Sequence, residues 1–108
     1  MDLVNLANSL VDAAGAVKQA KIQFDARQAV TKAGGYNGME VAEARARLET
    51  AQKRVELLTA IARSALESAK VDYARFKRQF EAGLEGADRY EELAGKVRML
   101  ELIVKGAE

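Results

Sequence analysis

Apolar and small side chains recur along this chain at alternating intervals of three and four residues, and none of its 108 residues is proline. Such spacing turns one stripe of a helix toward a partner helix, and the lack of proline permits helices that run without a break. The pattern predicts an all-α fold with Ala-rich, coiled-coil-like packing. The recurring positions are Leu3, Leu6, Leu10, Ala13, Val17, Ala20 and Phe24; then Val41, Ala44, Leu48, Ala51, Val55, Leu58, Ala62, Ala65 and Ala69, with Phe76 one heptad beyond; then Tyr90, Leu93, Val97, Leu100 and Val104.

Two glycine-containing segments divide this pattern. In residues 33–38, adjacent glycines end a helix, and Asn37 with Glu40 three residues later forms a capping-box pattern for the next helix. Residues 82–86 contain two glycines and are followed by Asp88, which favours a helix N-terminus. We therefore predict one helical domain, residues 1–108, of three long antiparallel helices joined by Gly-rich turns. The predicted helices span approximately residues 3–33, 39–82 and 87–106.

The second predicted helix has a wider apolar face in its C-terminal half. We expect the first helix to fold back along the first part of the second helix, and the third along its last part. Both a three-helix bundle and an extended pair of overlapping hairpins satisfy this pattern. Alanines at the seams predict close helix approach. The wide face is made by Ala62, Leu66, Ala69, Tyr73, Phe76 and Phe80; the seam alanines are Ala13, Ala20, Ala44, Ala51, Ala62, Ala65 and Ala69.

A weak internal repeat accompanies the two turns. A shift of 48 residues superimposes the two glycine-containing turns and parts of the helices beside them. Duplication and convergence of helix–turn–helix units both explain such a match. The matched pairs are Ala26-Arg27 with Ala74-Arg75, Gly35 with Gly83, Gly38 with Gly86, and Glu43 with Glu91.

Composition excludes several chemistries. The chain has no cysteine and no histidine, so it lacks the usual zinc ligands and the histidine of serine–histidine and cysteine–histidine catalysis. No Asp-rich loop resembles a calcium or magnesium site. We expect no catalytic residue, no metal, no cofactor and no small-molecule substrate.

Charge and hydropathy bear on partners and location. Seventeen basic and 16 acidic residues are interleaved, as on solvated helix surfaces, so nucleic acid is not an expected partner. The N-terminus lacks the features of a signal peptide, and no apolar run reaches the ~20 residues of a membrane-spanning helix. The sequence as written predicts a cytoplasmic protein, or one carried by another system such as a virion component. A segment of a larger secreted protein is the alternative.

Candidate interaction residues lie at the two turns. Tyr36 and Asn37 occupy the predicted first tip, where an exposed aromatic side chain is a plausible contact anchor. Around the second turn lie Arg75, Arg78 and Arg89, with Lys77 and Leu84 nearby. A solvated helix end, where cations offset the helix dipole, is the alternative reading of this basic cluster. The aromatic side chains near this turn are interpreted as core.

Residues 69–90 resemble the α-helical hairpin tips of periplasmic adaptor (membrane fusion) proteins and of outer-membrane efflux channel proteins, and the resemblance extends over residues 40–106. The adaptor tip motif has an arginine, a leucine four residues later and a serine seven residues after that. Arg75 matches the arginine, while Gln79 and Gly86 stand at the other two positions. The resemblance implies a helical wall element that assembles side by side into a tube.

Together these observations predict a non-enzymatic structural protein. Much of its 49% hydrophobic content is alanine, which buries little area per residue, so we expect its hairpins to pack laterally with copies of itself into a homo-oligomeric wall or tube. An envelope pump and the virion or ejection machinery of a phage are settings consistent with this role. The alternative is a small monomeric or dimeric binding module, which inhibits or adapts another protein through a helix face or the Tyr36 turn.

Overall fold

The residues that the structure describes fold into three α-helices, and each helix lies within one residue of its predicted boundaries. A computed structural model describes residues 2–34, 38–83 and 86–107. The helices are α1 (Leu3–Lys32), α2 (Gly38–Glu81) and α3 (Ala87–Ala107). The predicted all-α fold class is therefore confirmed.

At the starts of α1 and α3, side-chain or backbone oxygens accept hydrogen bonds from amide groups that would otherwise lack a partner. The Asn5 amide N–H donates to one carboxylate oxygen of Asp2 at 2.8 Å, and the Asn5 side-chain amide donates to the other at 2.9 Å. Asp2 is therefore the N-cap of α1. In α3, the Tyr90 N–H donates to the carbonyl of Gly86 at 3.4 Å, and Asp88 lies in the first turn as predicted.

The first two helices end in the same way, at a glycine with a left-handed backbone. Gly34 has φ of 91° and Gly83 has φ of 76°. Each donates its N–H to the carbonyl three residues earlier, at 3.2 Å for Gly34 to Thr31 and 2.9 Å for Gly83 to Phe80. Of the two glycines of the second turn, Gly83 is thus the one that adopts the left-handed conformation. Gly35 and the predicted cap Asn37 lie outside the described residues.

The structure divides into two compact units. The first unit, Ala7–Leu58, pairs most of α1 with the first part of α2. Arg27 of α1 lies 2.6 Å from the Glu40 carboxylate of α2, and the Arg45 guanidinium lies 5.6 Å from the centre of the Phe24 ring. These contacts define an antiparallel hairpin. Its buried apolar residues are Leu10, Ala13, Ala20 and Ala44.

The second unit contains Thr59–Glu108 together with Met1–Leu6. It combines the last part of α2 with α3, as the wide apolar face of the second helix predicts. Leu100 is completely buried at its centre. The other buried residues are Leu6, Thr59, Ala62, Leu66, Ala69, Phe76 and Leu93.

Alanine lines the seams of both units. Ala13 in the first unit and Ala62 in the second are both 0% exposed. Ala20, Ala44 and Ala69 are also buried, whereas Ala51 and Ala65 are half-buried. The interior of each seam therefore has no space for a larger side chain at its fully buried alanines.

The two units are equivalent at a shift of 49 residues, the separation of Gly34 and Gly83, and not at the shift of 48 that the sequence suggested. Seven heptads make 49 residues, so this shift maps each seam position onto a seam position. A shift of 48 would place the buried Ala13 on Ile61, which is 48% exposed. The correct shift gives the pairs Leu10 and Thr59, Ala13 and Ala62, Ala20 and Ala69, and Ala44 and Leu93, all of them buried.

Candidate interaction surfaces

The predicted basic cluster is partly neutralised by neighbouring acids. Arg75 lies 3.3 Å from the Asp72 carboxylate, and Arg89 lies 3.6 Å from that of Glu92, each three residues away on the same helix. Arg78 is exposed in the last turn of α2. These ion pairs favour the interpretation of the cluster as a solvated helix end over its interpretation as a concentrated positive patch. The other candidates, Tyr36, Asn37 and Leu84, lie outside the described residues.

The aromatic side chains of the second unit contact one another. The Tyr73 and Tyr90 hydroxyls are 2.9 Å apart, and the Phe80 ring stacks on Tyr90 with centroids 4.9 Å apart. The hydrogen bond with Tyr73 is the main cause that raises the pKa of Tyr90 above 10.0. The rings are half-buried and pack together, in keeping with their interpretation as core.

A small polar cavity of about 120 Å³ lies beside the first turn. Its charges are balanced, because two arginines and two glutamates surround it, and Arg27 is already paired with Glu40. Among the described residues, no group of three or more acidic, histidine or cysteine side chains is placed to hold a metal ion. The cavity residues are Gln23, Arg27, Glu40, Glu43, Ala44 and Arg47.

The most extensive candidate surfaces are apolar. Ten large apolar side chains of the described chain are 43–72% exposed, whereas six large ones are buried, with 0–9% exposed: Leu6, Leu10, Leu66, Phe76, Leu93 and Leu100. Single exposed apolar residues are common on protein surfaces. What distinguishes these ten residues is their alignment along the helices. The ten are Val4, Val11, Ile22, Val30, Met39, Leu57, Ile61, Val71, Met99 and Leu102.

In the first unit these residues form two stripes, each on the side of its helix away from the buried seam. We name as the outer α1 face the residues Val11, Gly15, Lys18, Ile22 and Ala29. We name as the outer α2 face the residues Met39, Ala46, Thr50, Lys53 and Leu57. All ten residues are exposed, and at about 100° per residue each stripe covers one side of its helix.

In the second unit, exposed residues on α2 and α3 form equivalent stripes. Ser64 and Val71 lie on α2, while Gly95, Met99 and Leu102 lie on α3. Sequence reasoning missed these outer stripes because it followed the stronger seam periodicity. The available signal was a second apolar series on α1, in which Val11 and Ile22 are separated by about three helical turns.

Hydropathy and comparison with known proteins complete the description of these surfaces. No helix in the described part of the chain has an apolar stretch long enough to cross a membrane. No protein-family model, curated protein or solved structure matches the chain.

Proposed function

We propose that this protein is a structural assembly component whose helical hairpins pack laterally with copies of itself into a wall or tube. The observation that carries the proposal is the alignment of exposed large apolar side chains on outer helix faces. Exposed apolar side chains that share one helix face are a feature of protein association sites. A hairpin with an apolar stripe on each outer edge has two sides on which a neighbour can pack.

The accessible surface of the chain supports association. It amounts to 7627 Å², which exceeds by about 1,700 Å² the roughly 5,900 Å² typical of a monomeric protein of 11.7 kDa. A stable interface covers about 800 Å² on each partner. The excess is therefore close to the area hidden when a subunit has a neighbour on each of two sides.

The residue types of the chain favour a structural role over a catalytic one. With no histidine or cysteine, the general-base and nucleophile pairs of most hydrolases have no counterpart here. The resemblance of residues 40–106 to the hairpins of periplasmic adaptor and efflux channel proteins supports a tube of side-by-side helices. Envelope pumps and phage virion or ejection machinery remain the settings that we propose.

Sedimentation velocity across a hundredfold concentration range tests the proposal. We expect the weight-average mass to rise above 11.7 kDa with concentration and to extend beyond a dimer, because two outer faces allow continued addition. A single species at the monomer mass over the whole range would overturn the proposal. It would favour instead the alternative role, a small module that binds another protein through a helix face.

A further inference from the structure

We propose that the outer α1 face is covered by the outer α2 face of a second copy of this chain, so that first units pack directly beside first units. The inference rests on the proposed lateral assembly and identifies the faces that would carry it. The argument uses the register of α1 and α2, the sizes of the facing side chains and the charges at the edges of the two faces.

The register is fixed by contacts within the first unit. Arg27 is level with Glu40, and Phe24 is level with Arg45. Each step toward the N-terminus of α1 then corresponds to one step toward the C-terminus of α2. When a neighbouring copy lies beside the first with no shift along the helix axes, the α2 of the neighbour faces the α1 of the first copy at these same levels. The facing pairs are Val11 with Leu57, Gly15 with Lys53, Lys18 with Thr50, Ile22 with Ala46, and Ala29 with Met39.

Facing side chains are complementary in size at three levels, whereas Val11 and Leu57 are both large. Ile22 meets Ala46, and Met39 meets Ala29, so that a large side chain faces a small one at both levels. Gly15 has no side chain, and it leaves room for the aliphatic part of Lys53. Alternation of large and small side chains lets two helices interdigitate as knobs into holes.

The edges of the two faces are complementary in charge. In antiparallel helices, residues on the same side of each seam face each other. Lys18 then lies beside Glu49 on one edge, and Asp12 lies beside Arg54 on the other. All four side chains are exposed. Within the described parts of the chain, none of them forms an ion pair. Opposite charges at interface edges orient and select partners.

The second unit carries the same pair with its signs reversed. At the shift of 49 residues, Lys18 corresponds to Glu67 and Glu49 corresponds to Arg98. A first unit placed against the second unit of a neighbour would bring Lys18 toward Arg98 and Glu49 toward Glu67. These like-charge contacts disfavour the mismatched arrangement. The charges therefore favour pairing of each unit with its own kind.

The test uses charge reversal in the full chain, followed by sedimentation velocity. We expect Lys18→Glu and Glu49→Lys each to weaken association at least tenfold, because every contact between first units then brings like charges together at positions 18 and 49. The double variant K18E/E49K should associate as the unmodified protein does. An equimolar mixture of the two single variants should also recover assembly, since each mutated face meets its complement on the other variant.

Lys105→Glu is the matched control for Lys18→Glu, because it makes the same change in net charge near the end of α3 and should leave association unchanged. Circular dichroism establishes that each variant is folded. If the unmodified protein assembles and both single variants assemble equally well, the faces are wrong while the proposed lateral assembly stands. If the unmodified protein is monomeric throughout, both proposals fail.

Discussion

At the scale of single residues, the two glycines of the second turn differ in what a side chain would cost. Gly83 has φ of 76°, whereas Gly86 has no positive φ, and a β-carbon at either position meets no atom within 4 Å. The cost at Gly83 is therefore purely conformational. It arises because an L-residue in the left-handed region brings its β-carbon close to the backbone.

We predict that Gly83→Ala lowers the free energy of unfolding by about 1–2 kcal/mol. Gly86→Ala is the matched control and should cost less, since the backbone of Gly86 is not left-handed and its surroundings are open. The cost that remains is that alanine caps a helix N-terminus less well than glycine. Urea denaturation of the two variants measures the difference. Equal losses at both positions would mean that the left-handed backbone of Gly83 is not what limits the residues allowed at this turn.

Outside the seam, some residue roles are predictable from the sequence and others are not. Asp2 directly precedes the first apolar series, which is the position of an N-cap, so its hydrogen bonds to Asn5 were predictable in principle. The hydrogen bond between Tyr73 and Tyr90 was not. It depends on where the turn places α3 along α2, and residue spacing alone leaves that register undetermined.

At the scale of helices, the heptad spacing and the capping glycines together predict the helix boundaries. The spacing identifies which residues face a partner, and Gly34 and Gly83 end the helices where the seam ends. The repeat at a shift of 48 residues is misaligned by one residue, because it pairs Gly83 with Gly35 and not with the neighbouring Gly34. The left-handed conformation of Gly34, which makes it the counterpart of Gly83, is visible only in the structure.

The seams provide a prediction at the same scale. Ala62 is completely buried, so Ala62→Leu should lower the free energy of unfolding by roughly 1–3 kcal/mol through overpacking. Ala51→Leu should also destabilise, but less, because Ala51 is only half-buried. Thermal denaturation of both variants, with Ala60→Leu on the exposed side of α2 as a control, tests this order. A stability gain at Ala62 would contradict the close approach of the helices.

At the scale of the whole molecule, the balance between seam and outer face explains why association is expected. The seams contain much alanine, which contributes little buried area, while larger side chains such as Val11, Ile22 and Leu57 remain exposed. Apolar area that is not buried within the chain becomes available to neighbouring copies. Assembly and folding should then be linked, because copies that bind the folded chain stabilise it by mass action.

The linkage gives the last prediction, a melting temperature that rises with protein concentration. Binding at 100 times the dissociation constant adds about 2.7 kcal/mol of stability, which for a chain of this size raises the melting temperature by on the order of 10 °C. Lys18→Glu should melt at a lower temperature than the unmodified protein at the same concentration, because tenfold weaker binding removes about 1.3 kcal/mol of that stability. Differential scanning calorimetry over a hundredfold concentration range measures both. A concentration-independent melting temperature for the unmodified protein would show that the folded chain gains no stability from its neighbours.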